Sequence, residues 1–451
     1  MTDTNRHPHR HPGRRLTART TRAAAVIPAV RLGASMPEQS STPLVLDPAA
    51  SDHHAEHQAL RDRGPATRVD LLGLTVWSVT DPTLLKQLLT STQVSKDGRA
   101  HWPAYADTVS TWPLALWIAV ESMFTAYGGD HRRLRRMVAP ALSARRVQDL
   151  RPTVETIVTT LLDDLEARPA GESVDLREHF AYPLPIAVLG RLMGIADSQL
   201  RGFRNVVDGV FDTTATTVQA AENTASLYKA LDDLIAAKRA EPADDMTSLL
   251  IAARDHEGDG GGFTDGELRD TLLLMISAGY ETTVNVIDQA VTALLTDPEQ
   301  LSHLRAGRAT WDDVVEETLR HEPALKHLPL RYALTDIALP DGRTIPRGEA
   351  ILASYAAANR HPDWHGPTAD RFDVTRLNKD HLAFGHGVHF CLGAPLARME
   401  VATALRLLFT RFPDIELAVP AGELRTLPTA IGNGHRTLPV RPRRTTGEPA
   451  R

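Results

Sequence analysis

The sequence has 451 residues, of which 42% are hydrophobic and 24% are charged, proportions typical of a folded globular chain. The net charge of −6 gives no reason to expect a nucleic-acid partner. The one cysteine, Cys391, excludes an intramolecular disulfide. No apolar run reaches the roughly 20 residues that span a bilayer, so the expected location is the cytoplasm, away from membranes.

The first 40 residues differ in composition from the rest. Residues 1–40 are rich in arginine, histidine and proline and lack hydrophobic periodicity, which predicts a disordered basic N-terminal extension. The apolar stretch Ala23–Val30 is too short for a convincing signal peptide and contains Pro28. Met36 is an alternative to Met1 as the translation start. We expect residues 41–451 to form one domain.

One long helix is predicted near the middle of the chain. Thr264 and Glu267 form the T-x-x-E pattern of a capping box, and the apolar run that follows continues to Leu295, with Pro298 just beyond it. This gives about 32 residues, or roughly 48 Å at 1.5 Å per residue. A helix of that length and apolarity must run through the interior of the domain. A second helix is predicted over Val147–Ala167 from its three- and four-residue spacing.

Strand patterns are short and few. Residues 69–79, 337–353 and 438–440 alternate in the manner of strands between turn residues, and a loop rich in glycine and aspartate covers 255–262. The predicted fold class is mainly α with a small β region, and not an array of βαβ units.

The residues around Cys391 carry the most specific pattern. From Phe384 to Pro395 they read F-G-x-G-x-H-x-C-x-G-x-P. The glycines let the backbone turn tightly and approach a flat cofactor. A helix predicted over Leu396–Phe412 places Cys391 near a helix N-terminus, where amide N–H groups stabilise a thiolate. A lone cysteine is usually a small buried hydrophobe, but the length of this pattern favours a functional interpretation.

Polar residues interrupt the long helix at 277–283, which reads S-A-G-Y-E-T-T. Gly279 inside a helix costs about 1 kcal/mol relative to alanine, and a carboxylate such as Glu281 is unfavourable in a core. One interpretation is a kinked helix in which Thr282 and Thr283 bond to the preceding turn. The other is a groove for oxygen beside proton-relaying side chains.

These patterns resemble the cytochrome P450 family. The cysteine segment is similar to that family's haem-binding loop, and A-G-x-[DE]-T-T at 278–283 is similar to its oxygen-binding groove. The resemblance runs from about residue 43 to the end. It implies a P450-type domain whose long central helix lies over haem b, with Cys391 as the metal ligand.

The resemblance also implies roles for individual residues. Catalysis with O2 would use Glu281 and Thr282 as proton relays. Haem contacts would come from His131, Arg135, Ala278, Gly279, Arg331, Phe384, Gly385, His389, Cys391 and Gly393. His131 and Arg135 are spaced i, i+4 on a predicted helix, although a solvated basic face is the ordinary explanation for such a run.

Supporting and docking residues follow from the same resemblance. A buried network beneath the haem loop would contain Glu317, Arg320 and Arg371, although E-x-x-R alone is common on helix surfaces. A basic patch for an acidic ferredoxin would be formed by Arg132, Arg133 and Arg136. We expect pocket walls from residues 100–117, 183–228, 273–282, 324–330 and 430–435.

The expected activity is monooxygenation. A monomeric enzyme would receive electrons from NAD(P)H through ferredoxin reductase and ferredoxin, and would hydroxylate or epoxidise a hydrophobic molecule such as a polyketide, terpenoid or steroid. Oxidative coupling of an aromatic or peptide substrate on the same haem is an alternative, because Trp102, Trp112 and Trp117 fall where the family's substrate-facing loop lies. A catalytically inactive haem-binding partner is the non-enzymatic alternative.

Overall fold

Helices form most of the described chain, in agreement with the predicted fold class. The structure, a computed structural model, describes residues 42–49, 52–196, 199–200, 216–256 and 262–443. The predicted extension over residues 1–40, the alternative start at Met36 and most of the predicted loop at 255–262 lie outside the described residues. Within them, no helix is long and apolar enough to cross a membrane.

The α-helices have the following bounds. They are α1 (His53–Asp62), α2 (Pro82–Thr90), α3 (Gly98–His101), α4 (Tyr105–Thr111), α5 (Leu116–Ala119), α6 (Gly128–Val138), α7 (Ala144–Glu166), α8 (Pro183–Met193), α9 (Thr217–Ala240), α10 (Met246–His256), α11 (Asp265–Thr296), α12 (Pro298–Arg305), α13 (Trp311–His321), α14 (Tyr355–Asn359), α15 (Pro362–His365) and α16 (Ala394–Arg411). Short 3-10 turns lie at Ala139–Leu142, Gly366–Thr368, Gly387–His389 and Ala421–Glu423, and a π-helical turn lies at Arg177–Ala181.

The strands form three small sheets. Their bounds are β1 (Leu44–Val45), β2 (Ala66–Leu71), β3 (Leu74–Val79), β4 (Val94–Ser95), β5 (Val174–Asp175), β6 (Leu328–Ala333), β7 (Ile337–Ala338), β8 (Thr344–Ile345), β9 (Ala350–Ala353), β10 (Glu416–Leu417) and β11 (Pro439–Arg441). The six-stranded sheet has the order β1-β2-β3-β9-β6-β4, β10-β11-β5 form a second sheet, and β7 pairs with β8.

The central helix α11 begins and ends where the sequence predicts. The side chain of Thr264 accepts the amide of Glu267 at 3.0 Å, and the side chain of Glu267 accepts the amide of Thr264 at 2.9 Å. Its 32 residues pack against α8, α9, α13 and α16. Side chains such as Leu272, Ile276 and Ile287 are fully buried, so the helix runs through the core and presents its middle turns to the site.

The other predicted elements are confirmed with small changes of boundary. The helix predicted over Val147–Ala167 is α7, and the helix expected after the cysteine segment is α16, with its proline in the first turn. The 69–79 region is a hairpin of β2 and β3, paired from Ala66 opposite Val79. The sequence patterns miss β6, because its residues are almost all buried and show no alternation.

The ionic network beneath the cysteine segment differs from the predicted one in one residue. Arg320 bonds Glu317 through Nε at 2.7 Å and Nη2 at 2.8 Å, and both side chains are fully buried. The prediction of Arg371 as the second arginine is wrong. Arg371 is exposed and contributes only its carbonyl oxygen, which accepts Arg320 at 2.7 Å. Arg376 approaches Glu317 instead, with its Nε 3.3 Å from Oε1, and the amide of Asp373 donates to the same oxygen at 2.7 Å.

We predict that Arg376→Ala lowers the free energy of unfolding by about 2 kcal/mol, the value of a hydrogen bond to a charged group. The matched variant Arg371→Ala should change it by less than about 0.5 kcal/mol, because its side chain is on the surface. Urea unfolding followed by circular dichroism measures both. An equal loss in the two variants would contradict the assignment of Arg376 to the network.

Candidate active site

The cysteine segment folds as a tight loop that leads directly into α16. The amide of Cys391 donates to the carbonyl oxygen of Phe384 at 2.9 Å, which closes the loop. Gly385 and Gly387 both have φ of +72°, a conformation that favours glycine. A Cβ at Gly387 would lie 2.7 Å from the carbonyl oxygen of Leu89, so a side chain there would collide with backbone. The glycines of the motif therefore permit the loop's shape.

The thiol lies just before the N-terminus of α16, but that position does not dominate its acidity. Burial raises the pKa of Cys391, and hydrogen bonds from the amides of Gly393 and Ala394 oppose this only in part. The amides at the helix terminus therefore act in the predicted direction, against the larger effect of burial. A coordinating thiol is deprotonated by the metal that it binds.

A cavity separates the cysteine loop from the middle of α11. Phe384, Gly385, Cys391 and Gly393 line it on the loop side. On the helix side it is lined by Ala278, Gly279 and Thr282, and Arg135, Arg331 and His389 also reach it. The structure thus brings together most residues that the sequence predicts for the site. His131 contacts this group through His389, since their ring centroids are 4.1 Å apart.

Several cations converge at one edge of this cavity. Arg135 donates to the carbonyl oxygen of Phe390 at 2.9 Å, while Nη1 of Arg331 and Nε2 of His131 are buried and have no hydrogen-bond partner among the described residues. Burial, together with Arg331 and His131, lowers the pKa of His389 to about 2. Buried cations without anionic partners are unfavourable, so this edge suits a ligand that carries carboxylates.

Lys96 belongs to the same group, although no sequence pattern indicates it. The residue is buried and lines the cavity; its Nζ donates to the carbonyl oxygen of Pro329 at 2.9 Å and lies 3.8 Å from the centre of the Phe124 ring. Burial lowers its pKa well below the usual range, and the charge of Arg331 adds to that effect. Only the pairing of β4 with β6 brings Lys96 beside Arg331.

The threonines of α11 show the back-bonding of the first interpretation, and the same turn lines the cavity. Thr282 donates to the carbonyl oxygen of Ala278 at 2.6 Å and Thr283 donates to that of Gly279 at 3.0 Å, the back-bonding expected of threonines in a helix. The same turn lines the cavity. Gly279 allows the approach of α8, because an added Cβ would lie 3.0 Å from the side chain of Leu189.

Glu281 is held in a buried ionic network. Its Oε1 accepts Nη2 of Arg177 at 2.7 Å, and Arg177 also bonds Asp288 at 2.8 Å and Asn285 at 2.9 Å. Asp288 in turn accepts Nδ1 of His435 at 2.8 Å. The carboxylate of Glu281 is therefore paired with a fully buried arginine, while the neighbouring Thr282 lines the cavity. Sequence analysis missed Arg177, which lies more than a hundred residues earlier in the chain.

Glu400 is a second buried acid that the sequence patterns missed. It lies on α16, nine positions after Cys391, and lines the cavity. Burial raises its pKa well above the usual range, which favours the uncharged carboxyl group. Its Oε2 has no hydrogen-bond partner within the described part of the chain.

A second, apolar pocket continues from the first. It is lined by Leu116, Trp117, Val120, Phe124, Leu273, Leu274, Ser277, Ala278, Thr282, Leu325 and Leu328. The predicted walls at 100–117, 273–282 and 324–330 contribute to it. Of the range 183–228, Leu189 and Leu192 line the main cavity, and residues 201–215 lie outside the described residues. In the range 430–435, His435 bonds Asp288 and Ile431 packs in the core.

Two of the three tryptophans pack in the core, and the third lines a pocket. Trp102 stacks on Tyr332 at 5.2 Å, and Trp112 is buried and donates to the carbonyl oxygen of Leu71 at 3.2 Å. Both serve the core, whereas Trp117 lines the apolar pocket.

The expected basic patch also changes. Arg133 pairs with Glu267 at 2.5 Å, so its charge is partly neutralised and the patch as predicted is wrong for this residue.

Comparison with known proteins gives one consistent result. A family model described as Cytochrome P450 matches residues 191–307 and 309–419. The 2-hydroxy-5-methyl-1-naphthoate 7-hydroxylase of Streptomyces carzinostaticus is 40% identical over 88% of this chain and 97% of that protein. The mycinamicin IV hydroxylase/epoxidase of Micromonospora griseorubida is 38% identical over 69% of this chain and 77% of that protein.

A solved structure is also similar. CYP154A1 from Streptomyces coelicolor A3(2) is 69% identical and superposes with a TM-score of 0.85, over 88% of this chain and 99% of that one. Since the two relatives above are named for hydroxylation or epoxidation, neither the coupling reaction nor an inactive partner protein is favoured.

The position of Lys96 leads us to predict that its replacement weakens haem retention without destabilising the haem-free protein. Lys96→Met should accelerate transfer of haem to apomyoglobin about tenfold, because it removes one charge-assisted bond to a carboxylate. It should not lower the stability of the haem-free protein, because it also removes a buried unpaired cation. Lys229→Met is the control, since Lys229 is exposed and pairs with Asp233. Unchanged haem transfer would contradict this placement.

Proposed function

The chain belongs to the cytochrome P450 family and is a monooxygenase of that family, and we propose that it binds haem b through Cys391 and hydroxylates or epoxidises an apolar secondary metabolite. The observation that carries the proposal is the opposition of two motifs across one cavity. Cys391 lines one wall, and Ala278, Gly279 and Thr282 line the other.

The residues present fit a haem. Cys391 would supply the thiolate to the iron, and the cationic edge formed by Lys96, Arg135 and Arg331, with His131 and His389, would hold the two propionates. The unpaired nitrogens of His131 and Arg331 support this fit, because buried donors need partners. When bound, the haem supplies oxygen activation, which a thiolate ligand favours by donating electron density.

Thr282 and Glu281 would divide the handling of protons. Thr282 lines the cavity, and its hydroxyl group donates its proton to the carbonyl oxygen of Ala278, so its oxygen can accept a hydrogen bond from a bound water. Glu281 is bonded to Arg177. For the carboxylate to pass a proton towards Thr282, it would have to exchange part of that pairing with Arg177 for a hydrogen bond to water.

The substrate would be bound chiefly by apolar contact. The pocket beyond Thr282 is lined by aliphatic and aromatic residues, with Trp117 as its one indole and Ser277 as a small polar group. The hydroxyl group of Ser277 already donates to the carbonyl oxygen of Leu273 at 2.8 Å. Relatives that act on a naphthoate and on mycinamicin IV support a secondary metabolite as the substrate.

Electrons would come from a ferredoxin and its NAD(P)H-dependent reductase, which favours a cytoplasmic, monomeric enzyme. Arg132 and Arg136 on α6 are exposed, and Arg135 of the same helix contacts the cysteine loop. Val388 of that loop is 63% exposed. This surface combines positive charge with an apolar centre next to the proposed ligand Cys391, which suits an acidic electron donor.

The function is tested by turnover under oxygen-18 gas. The purified chain, a surrogate ferredoxin and reductase, and NADPH would be incubated with a panel of macrolide, naphthoate and steroid compounds. We expect at least one product that carries a single oxygen-18 atom. Products that contain no new oxygen, or oxygen that comes from water, would contradict a monooxygenase that acts on this class of compound.

Replacement of Thr282 tests the assigned proton relay. In Thr282→Ala we expect NADPH consumption to continue while the fraction converted to product falls about tenfold. This is less than the 10²–10⁴-fold that a positioned proton donor contributes, because a water relay would still deliver some protons. The missing reducing equivalents should appear as hydrogen peroxide. Thr296→Ala, at the far end of α11, is the control. Full coupling in Thr282→Ala would show that this hydroxyl group is not the relay.

A further inference from the structure

A cluster of histidine and glutamate lies outside the cavity described above. Glu56 and His57 are consecutive on α1, and His327 immediately precedes β6. One ligand atom from each of the three residues lies within 4.8 Å of those from the other two. The cluster joins the N-terminal helix of the described domain to the six-stranded sheet, and neither the family resemblance nor the proposed function requires it.

Burial leaves the nitrogens of this cluster without partners. His57 and His327 are 1% and 0% exposed. Within the described ranges, Nε2 of each has no hydrogen-bond partner. The nearest carboxylate oxygen to Nε2 of His327 is Oε1 of Glu56, at 3.7 Å, which is too long for a hydrogen bond. An unsatisfied buried polar group costs about 1–3 kcal/mol, so two such nitrogens facing one carboxylate need an explanation.

The outer contacts of the cluster orient its members as metal ligands are oriented. Nδ1 of His327 lies 3.0 Å from the hydroxyl of Ser354, and Oε2 of Glu56 accepts the amide of Asp47 at 2.7 Å. His327 and Glu56 are thus each held by one atom while the other atom is left for the cluster, the arrangement usual around bound metals.

We propose that Glu56, His57 and His327 form a binding site for a divalent transition metal ion, with Zn²⁺ as the reference ion. Two imidazoles and one carboxylate are a ligand set for zinc, which takes a fourth ligand from water. Two ligands that are each about 2.0–2.2 Å from one ion cannot be more than about 4.4 Å apart, so binding draws the three side chains slightly together. The ion would fasten α1 to the sheet.

Two neighbouring groups bear on the choice of these three residues. Nζ of Lys326 donates to the carbonyl oxygen of Thr429 at 2.8 Å, so this cation is held by a neutral acceptor next to the cluster.

A second group, formed by His53, His54 and Glu322, is also close enough to hold an ion. In that group Arg360 already donates to Glu322 at 2.9 Å and lies 2.7 Å from Nδ1 of His54. A guanidinium thus occupies the place that a metal ion would need.

The test measures zinc bound per haem iron in the full-length, untagged holoprotein. The protein would be stripped with a chelator, equilibrated with zinc chloride and freed of excess ion, and the metals counted by plasma mass spectrometry. Zinc held by His7, His9 and His11 of the N-terminal segment would contribute equally to every variant. The test therefore compares the zinc content of each variant with the zinc content of the parent chain.

We expect His57→Ala, His327→Gln and the isosteric Glu56→Gln each to lose one zinc per chain, or to bind it at least tenfold more weakly. His54→Gln and the surface variant His303→Gln should retain it. Zinc should also raise the midpoint of thermal unfolding of the parent but not that of Glu56→Gln. An unchanged haem absorbance shows that each variant is folded. Equal zinc in all variants, or loss in His54→Gln alone, would overturn the proposal, and neither result depends on turnover.

Discussion

Positive charge buried beside a single cysteine is the constraint on which the site depends. Lys96, Arg135 and Arg331 meet at one edge of a cavity that Cys391 also lines. Charges of one sign in a low-dielectric interior repel each other and lose their hydration. Such an arrangement is favourable only when an anionic ligand joins it. A haem would meet both needs, with carboxylates for the cations and an iron for the thiol.

The central helix connects this constraint to catalysis. One side of α11 carries Ala278, Gly279 and Thr282 towards the cavity, and another carries Glu281, Asn285 and Asp288 towards the buried Arg177. The polar interruption of an otherwise apolar helix therefore serves two purposes within three turns. The ionic side is fully paired inside the core, which lets the helix carry carboxylates through the interior without unpaired charge.

Sequence patterns predicted the features that depend on residues close together in the chain. The capping box located the start of α11, and the glycines around Cys391 indicated a loop whose φ angles the structure confirms at Gly385 and Gly387. They failed where partners are distant in the chain. Arg376 replaces Arg371 in the network of Glu317, and Arg177 reaches Glu281 across 104 positions. Lys96 and His57 gave no signal, because only the folded sheet shows what surrounds them.

The most direct test of the central claim is the absorption spectrum of the dithionite-reduced protein with and without carbon monoxide. Thiolate ligation by Cys391 predicts a strongly red-shifted Soret band on addition of carbon monoxide, and Cys391→Ala should lose that band. Haem bound with an ordinary Soret position, or a red-shifted band that survives in Cys391→Ala, would contradict the assignment of Cys391 as the iron ligand.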